Sequence, residues 1–391
     1  MKYDFDQIID RKGTNSLKYD FAAERGKPEG LLPLWVADMD LQAPVEVRES
    51  LIEAARHGIY GYSEVKESYF EAVHDWMKNY HDWEVRPEWL VKTPGIVYAA
   101  AAAIHAFTKE GDGCMMQNPG YYSIGQVVKD TGRVLVDNLL HEEDGYFTMD
   151  FEDMERKIAE YHVKLFILVN PHNPVGRVWS REELQKLGEI CLKHDIVILS
   201  DEIHEDFVYP GHKHIVLAGM NERFRDITIT CTAPSKTFNI AGLQVSNIFI
   251  ANPEMRAAFK KEIDKTGYSQ LNQMGLVACE SAYRYGRDWL EQLSVYLQGN
   301  LAFARSFIKE NMPGVKLVEP EGTYFLWLDF RQLHITDEEL ERLVIYKAGL
   351  WLDGGRMFGS EGAGFQRINM ACPRATLEKA LEKLANALKE R

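Results

Sequence analysis

Residues 226–243 read DITITCTAPSKTFNIAGL. Alternating isoleucine and threonine make a β-prone run, which proline and glycine punctuate at Pro234 and Gly242. Lys236 therefore stands just past the carboxyl end of a strand. A lysine so placed can form an imine with an aldehyde cofactor when its surroundings lower its pKa. Taken alone, a lysine is ordinarily a solvated surface residue, so the reading of Lys236 rests on its neighbours.

Two upstream segments repeat the pattern. The apolar run IVIL ends in SDEIH (200–204), with Asp201 at the strand end, and LFILV runs into NPHNPVG (170–176), which carries Asn173. Either could be a plain helix cap or turn, but ligands of open α/β sheets gather at the carboxyl ends of parallel strands. From 112 to 250, β-prone runs at 114–117, 133–139, 164–170, 196–200, 226–230 and 247–250 alternate with amphipathic stretches. Residues 180–194 read as a helix with Ser180 as N-cap and Glu183 at the capping-box position. This alternation predicts a mostly parallel sheet covered by helices.

Beyond it lie a long helical region at about 273–310, a strand at 322–330 and a last helix with Leu377, Leu381, Leu384 and Leu388 on one stripe. The expected class is α/β, with a large domain at 45–285, a smaller α+β domain at 286–391, and an N-terminal arm at 1–44 that joins the smaller one. The segment before Asp38 would be an arm or a covering strand.

Two further elements fit a bound anionic ring. TPGIV (93–97) opens an alanine-rich helix, and a glycine turn at a helix start offers free N–H groups and the positive dipole end to a phosphate. NPGYY (118–122) carries Tyr121 and Tyr122, and a tyrosine there either packs in the core or offers its ring face to a flat ligand.

With these motifs the chain resembles, over nearly its whole length, the fold-type I pyridoxal-phosphate enzymes of the class I/II aminotransferase group. The resemblance implies pyridoxal 5′-phosphate as cofactor and Lys236 as the Schiff-base residue. Asp201 would keep the pyridine nitrogen protonated, Asn173 would bond the ring's phenolic oxygen, and Tyr121 would stack on the ring. Ile96 and Val97 would give amides to the phosphate, with Thr232 and Ser235 as hydroxyl donors. Tyr62, in YGYS (60–63), would reach the phosphate across a homodimer interface. Arg367, in QRIN (366–369), would clamp the substrate's α-carboxylate together with Ala37 and Asn173.

Departures from the aminotransferase pattern point to the reaction. Gln244 stands where many transaminases have a phosphate-binding arginine, and His204, a further cofactor contact, stands where many have tyrosine. With WVADMD (35–40), NPHNPVG, SDEIH and SKTFNIAGL, they are similar to the cystathionine β-lyase branch. That branch implies α,β-elimination of an L-cysteine S-conjugate to a thiol, pyruvate and ammonia, with Lys236 acting as imine partner and as general base. The alternatives are an aminotransferase of an aromatic or neutral amino acid and a non-catalytic regulator of the same fold.

Composition restricts the partners. The 391 residues are 46% hydrophobic and carry a formal charge of −14. This opposes nonspecific contact with nucleic acid or anionic membranes. Apolar runs such as 163–169 are too short to span a bilayer, and the first residues lack the apolar core of a signal peptide. The five cysteines are dispersed without a CxxC pair, which suggests neither disulfides nor a metal site. A cytoplasmic enzyme acting on a small amino acid is expected.

Overall fold

The computed structural model describes residues 3–391, so the first two residues of the expected arm lie outside the described residues. In chain order the strands are β1 Leu32–Pro33, β2 Leu90–Thr93, β3 Gly113–Asn118, β4 Val134–Glu143, β5 Tyr146–Met149, β6 Val163–Val169 and β7 Val197–Asp201. They continue as β8 Thr228–Thr232, β9 Ser246–Ile250, β10 Lys316–Val318, β11 Phe325–Asp329, β12 Leu350–Trp351, β13 Asp353–Gly354 and β14 Phe365–Asn369.

An eight-stranded sheet runs β2-β9-β8-β7-β6-β3-β4-β5. Its centre, from β4 to β8, is parallel, while β5, β9 and β2 pair antiparallel at the two edges. Every residue of β3, β8 and β9 is buried, as expected where helices cover both faces of a sheet. The two strands missing from the sequence reading, β2 and β5, have four residues each and lie at the edges. Lys92, Thr93 and Thr148 interrupt their apolar character. The helix Arg181–Lys193 begins as read: Ser180 Oγ accepts from Glu183 N–H at 3.1 Å, and Glu183 accepts in return from Ser180 N–H at 2.8 Å. Such caps contribute about 1 kcal/mol.

The long helical region is two helices, Gln273–Tyr285 and Arg287–Asn311, parted at Gly286. Here the chain passes so close to Phe238 that a β-carbon on residue 286 would lie 2.3 Å from that ring. The second helix spans two cores. Leu290, Leu293 and Leu297 pack with Trp76, Phe238 and Trp289, whereas Leu301, Ala304 and Ile308 pack with Leu326, Ile368 and Leu381.

The second core lies against an antiparallel four-stranded sheet, β10-β11-β14-β13, and the helix Arg374–Lys389, which buries Leu377, Leu381 and Leu384 and leaves Leu388 half-buried. Burying one such leucine contributes roughly 1.5–3 kcal/mol. β11 is shorter than the 322–330 reading because Thr323, with φ 69°, turns the chain before it. The segment before Asp38 enters this part of the molecule as β1, parallel to β12, and Leu34 is fully buried in its core. Among the described residues no helix is long and apolar enough to cross a membrane.

Candidate active site

β6, β7 and β8 are neighbours in the sheet, and their register pairs Val169 with Asp201 and Asp201 with Cys231. Their carboxyl ends are thereby level, and the three residues that follow or end them, Asn173, Asp201 and Lys236, open into one cavity of about 330 Å³. The cavity is also lined by Ala37, Ile96, Val97, Tyr121, His204 and Ser235. Lys236 sits in a single helical turn, Pro234–Thr237, that reverses the chain after β8.

Burial lowers the proton affinity of the Lys236 amine, and the Arg367 charge adds to this, while Asp38 and Asp201 act the other way. Burial also pushes the Asp201 carboxyl up to about 7, against the Ile203 N–H that bonds it at 3.2 Å and the Lys236 charge. His204 is held neutral by burial and by the nearby Lys236 and Arg367 charges, and its Nδ1 is buried without a partner among the described residues.

At the opposite wall the helix Ile96–Phe107 starts from Gly95 without any side-chain cap, so its first N–H groups are free to meet an anion. Tyr121 faces the cavity, and its hydroxyl is held protonated by burial. Tyr122 turns away to pack edge-on against Phe358 at 5.7 Å.

Arg367, in the middle of β14, does not line the cavity but stands one bond behind it. Its guanidinium donates to Asn173 Oδ1 at 2.9 Å and to the Trp35 carbonyl at 3.0 Å, pairs with Asp353, and lies over the Phe325 ring at 4.1 Å. Its Nε has no partner among the described residues. Because Asn173 spends its carbonyl on Arg367, its amide N–H₂ is what it can offer the cavity. The segment 34–41 straps the two halves of the site together. Asn369 donates to the carbonyls of Val36 and Asp38 at 2.7 Å, Tyr324 donates to that of Ala37 at 2.6 Å, and Asn239 bonds the backbone of Met39 and Leu41.

One expected contact is not brought to the cavity, and Tyr62, expected to serve the site of a second copy, lies away from it. Thr232 is fully buried and does not line the cavity; its hydroxyl donates to the carbonyl of Asn247, its partner on β9, at 3.1 Å. Tyr62 is 99% exposed on a segment without helix or strand. Sequence reasoning missed Asp353 as the carboxylate partner of Arg367; only the pairing of β13 with β14 brings them opposite each other. It also treated Gln244 as a departure, and Gln244 lines the cavity in a left-handed conformation with φ 51°.

The donor set fits one kind of ligand. A buried amine of lowered basicity suits an aldehyde, and a buried carboxyl that ionises on meeting a cation suits a protonated ring nitrogen. An amide suits a phenolic oxygen, a helix start with a serine suits a phosphate, and a tyrosine face suits a flat ring. Such a set fits the cofactor of a pyridoxal-phosphate enzyme of fold type I.

The family model for aminotransferase class I and II matches residues 31–384, and the chain belongs to that family. It is 43% identical to cystathionine beta-lyase PatB of Bacillus subtilis (strain 168), over 98% of this chain and 99% of the relative. The structure of cystalysin from Treponema denticola, which contains a pyridoxal 5′-phosphate cofactor, superposes with a TM-score of 0.96 at 40% identity over 100% of both chains. The pyridoxal-phosphate-bound C–S lyase from Staphylococcus hominis does so with 0.92 at 33% identity, over 99% of this chain and 98% of that one.

Proposed function

We propose that the protein is a pyridoxal 5′-phosphate-dependent carbon–sulfur β-lyase that cleaves L-cystathionine or a related L-cysteine S-conjugate to a thiol, pyruvate and ammonia. The observation that carries this reading is the convergence of Lys236, Asp201 and Asn173 at three adjacent strand ends. The chain bearing them aligns end to end with a cystathionine β-lyase.

Lys236 holds the cofactor through its amine, Asp201 its ring nitrogen, Asn173 its phenolic oxygen, and Tyr121 and His204 flank the ring. Ile96, Val97 and Ser235 hold the phosphate. When bound, the cofactor supplies an electron sink for a carbanion at the substrate's Cα. Arg367 binds the α-carboxylate, with the Ala37 N–H and the Asn173 amide beside it, and so fixes which Cα bond faces the amine. Lys236 Nζ, its basicity lowered by burial, takes the Cα proton and can return one to the departing sulfur. Asp201, once paired with a cation, stays ionised and keeps the ring nitrogen protonated.

Tyr62 completes the phosphate site of a second copy in a homodimer. It is 99% exposed in company with Ile59 at 68% and Tyr60 at 63%, an apolar surface that a partner would cover. We divide the chain into an arm and first strand (1–44), a cofactor-binding domain (45–285) and a C-terminal domain (286–391), with the last boundary at the Gly286 break. Cytoplasmic residence accords with five cysteines that are all free and buried.

The test is to supply the holoenzyme with L-cystathionine and no 2-oxo acid. Sustained release of thiol and pyruvate is expected; turnover only after a 2-oxo acid is added would make it an aminotransferase instead.

A further inference from the structure

Behind the cavity lies a buried cluster of ionisable groups that the chemistry above does not use. Asp206 is 2% exposed at its side chain. One carboxylate oxygen accepts from Trp76 Nε1 at 3.1 Å and His81 Nε2 at 2.9 Å, and the other accepts from Thr237 Oγ1 at 2.5 Å. Thr237 is fully buried and directly follows Lys236 in the turn Pro234–Thr237.

Glu202, which directly follows Asp201, accepts from Ser200 Oγ at 2.7 Å and pairs with His214 Nε2 at 2.8 Å. The His81 and His214 rings meet edge to face at 5.6 Å. Glu205 sits between them, with Oε2 3.9 Å from His81 Nε2, and neither that oxygen nor His214 Nδ1 has a hydrogen-bond partner among the described residues. Atoms of His81, Glu205 and His214 lie within 4.8 Å of one another. Asp201 at the end of β7 and Lys236 in the turn after β8 are thus each followed in sequence by a residue committed to the same cluster, which is anchored outside the sheet on the helix Glu67–His81.

We propose that Asp206 is a positioning residue: held by Trp76 and His81 of the helix Glu67–His81, it fixes through Thr237 the turn that carries Lys236, while the packing of the His81 ring on His214, the partner of Glu202, sets that turn beside the strand end that carries Asp201. The proposal rests on the reading of Lys236 and Asp201 as cofactor residues. The turn is closed by backbone bonds from Phe238 N–H to the Pro234 carbonyl at 2.9 Å and from Ile240 N–H to the Ser235 carbonyl at 3.0 Å, and four residues of helix have little stiffness of their own. The Thr237 bond to a buried carboxylate that Trp76 and His81 hold in place supplies what the turn lacks, and catalytic geometry is sensitive to displacements of about 1 Å.

The experiment compares the holoenzymes of the parent, Thr237→Val, Thr237→Ser and Asp206→Asn. It measures kcat and KM for thiol release, the pH midpoint of the cofactor's visible absorption, cofactor content and thermal unfolding. Valine keeps the shape of threonine and removes the hydroxyl. We expect T237V and D206N to lose kcat by about tenfold or more with KM changed less than about threefold. The absorption midpoint should shift in both variants, and T237S should recover both readouts.

Parental kcat and midpoint in T237V and D206N would overturn the proposal. So would losses that only track the folded or cofactor-loaded fraction, or a failure of T237S to recover. A stoichiometric divalent metal in the purified holoenzyme would overturn it too, since the metal would then organise the cluster. If the parent proves not to be a lyase, the absorption midpoints still decide the positioning role.

Discussion

Arg367 and Asp353 face each other across β14 and β13 as a buried ion pair, each side chain no more than 4% exposed. The guanidinium that would receive a substrate carboxylate is therefore compensated before any substrate arrives. Removing one member of such a pair leaves a bare buried charge, at a cost of about 3–5 kcal/mol. Arg367→Ala is expected to lower kcat/KM by about 10² or more, chiefly through KM, and to lower the melting temperature as well. Arg367→Lys keeps the charge without the planar fork, so it should keep most of the stability while KM stays raised. Steady-state kinetics together with thermal unfolding separate the two effects.

Lys236→Ala removes covalent attachment and the Cα base together. Visible absorption of the lysine-held cofactor should disappear, and turnover should fall by about 10²–10⁴ or more. A variant that keeps both the band and normal turnover would exclude Lys236 from the chemistry.

In the cofactor-free protein, burial raises the Asp201 carboxyl to about 7 from an unfolded value near 3.8. The folded state then binds this proton more tightly than the unfolded state. Its contribution is fully present below pH 3.8 and is lost as the pH rises through about 7. The loss is of order 4 kcal/mol at about 1.4 kcal/mol per pKa unit. Apoprotein carrying Asp201→Asn should lack this decline and be more stable than the parent at pH 8, although its holoenzyme should be nearly inactive. Urea unfolding of both apoproteins at several pH values provides the check.

Gly286→Ala would place a methyl 2.3 Å from the Phe238 ring and 2.5 Å from the Ala282 carbonyl. Forced overpacking of this kind costs about 1–3 kcal/mol. A lower melting temperature is expected, with some loss of kcat because Phe238 is two residues from Lys236.

If Tyr62 serves the partner's phosphate site, two variants disabled in different subunits should complement each other. Random remixing of Tyr62→Ala with Lys236→Ala dimers places one intact site in each mixed dimer, restoring about a quarter of the parental activity. No recovery above the separate variants would exclude a shared site.

What could be read from the chain alone was whatever lies in one local stretch. Asn173, Asp201 and Lys236 each announce a strand end through an apolar run cut by proline, aspartate or a turn, and the parallel order of β6, β7 and β8 then joins them. The alanine-rich helix and its glycine start were equally local. What escaped needed register. The β8–β9 pairing committed the Thr232 hydroxyl to the Asn247 carbonyl, and the β13–β14 pairing set Asp353 opposite Arg367. The cluster around Asp206 joins residues from 76 to 237 that no single motif connects.

The strap at 34–41 has a further consequence. It is bonded to β14 at one end, through Asn369 and Arg367, and to Asn239, three residues past Lys236, at the other. Its length therefore acts as a ruler between the guanidinium and the amine. One residue of extended chain measures about 3.3 Å, several times the error a reacting geometry tolerates. An insertion or deletion between Trp35 and Leu41 would recalibrate the site while leaving every residue that touches the substrate in place.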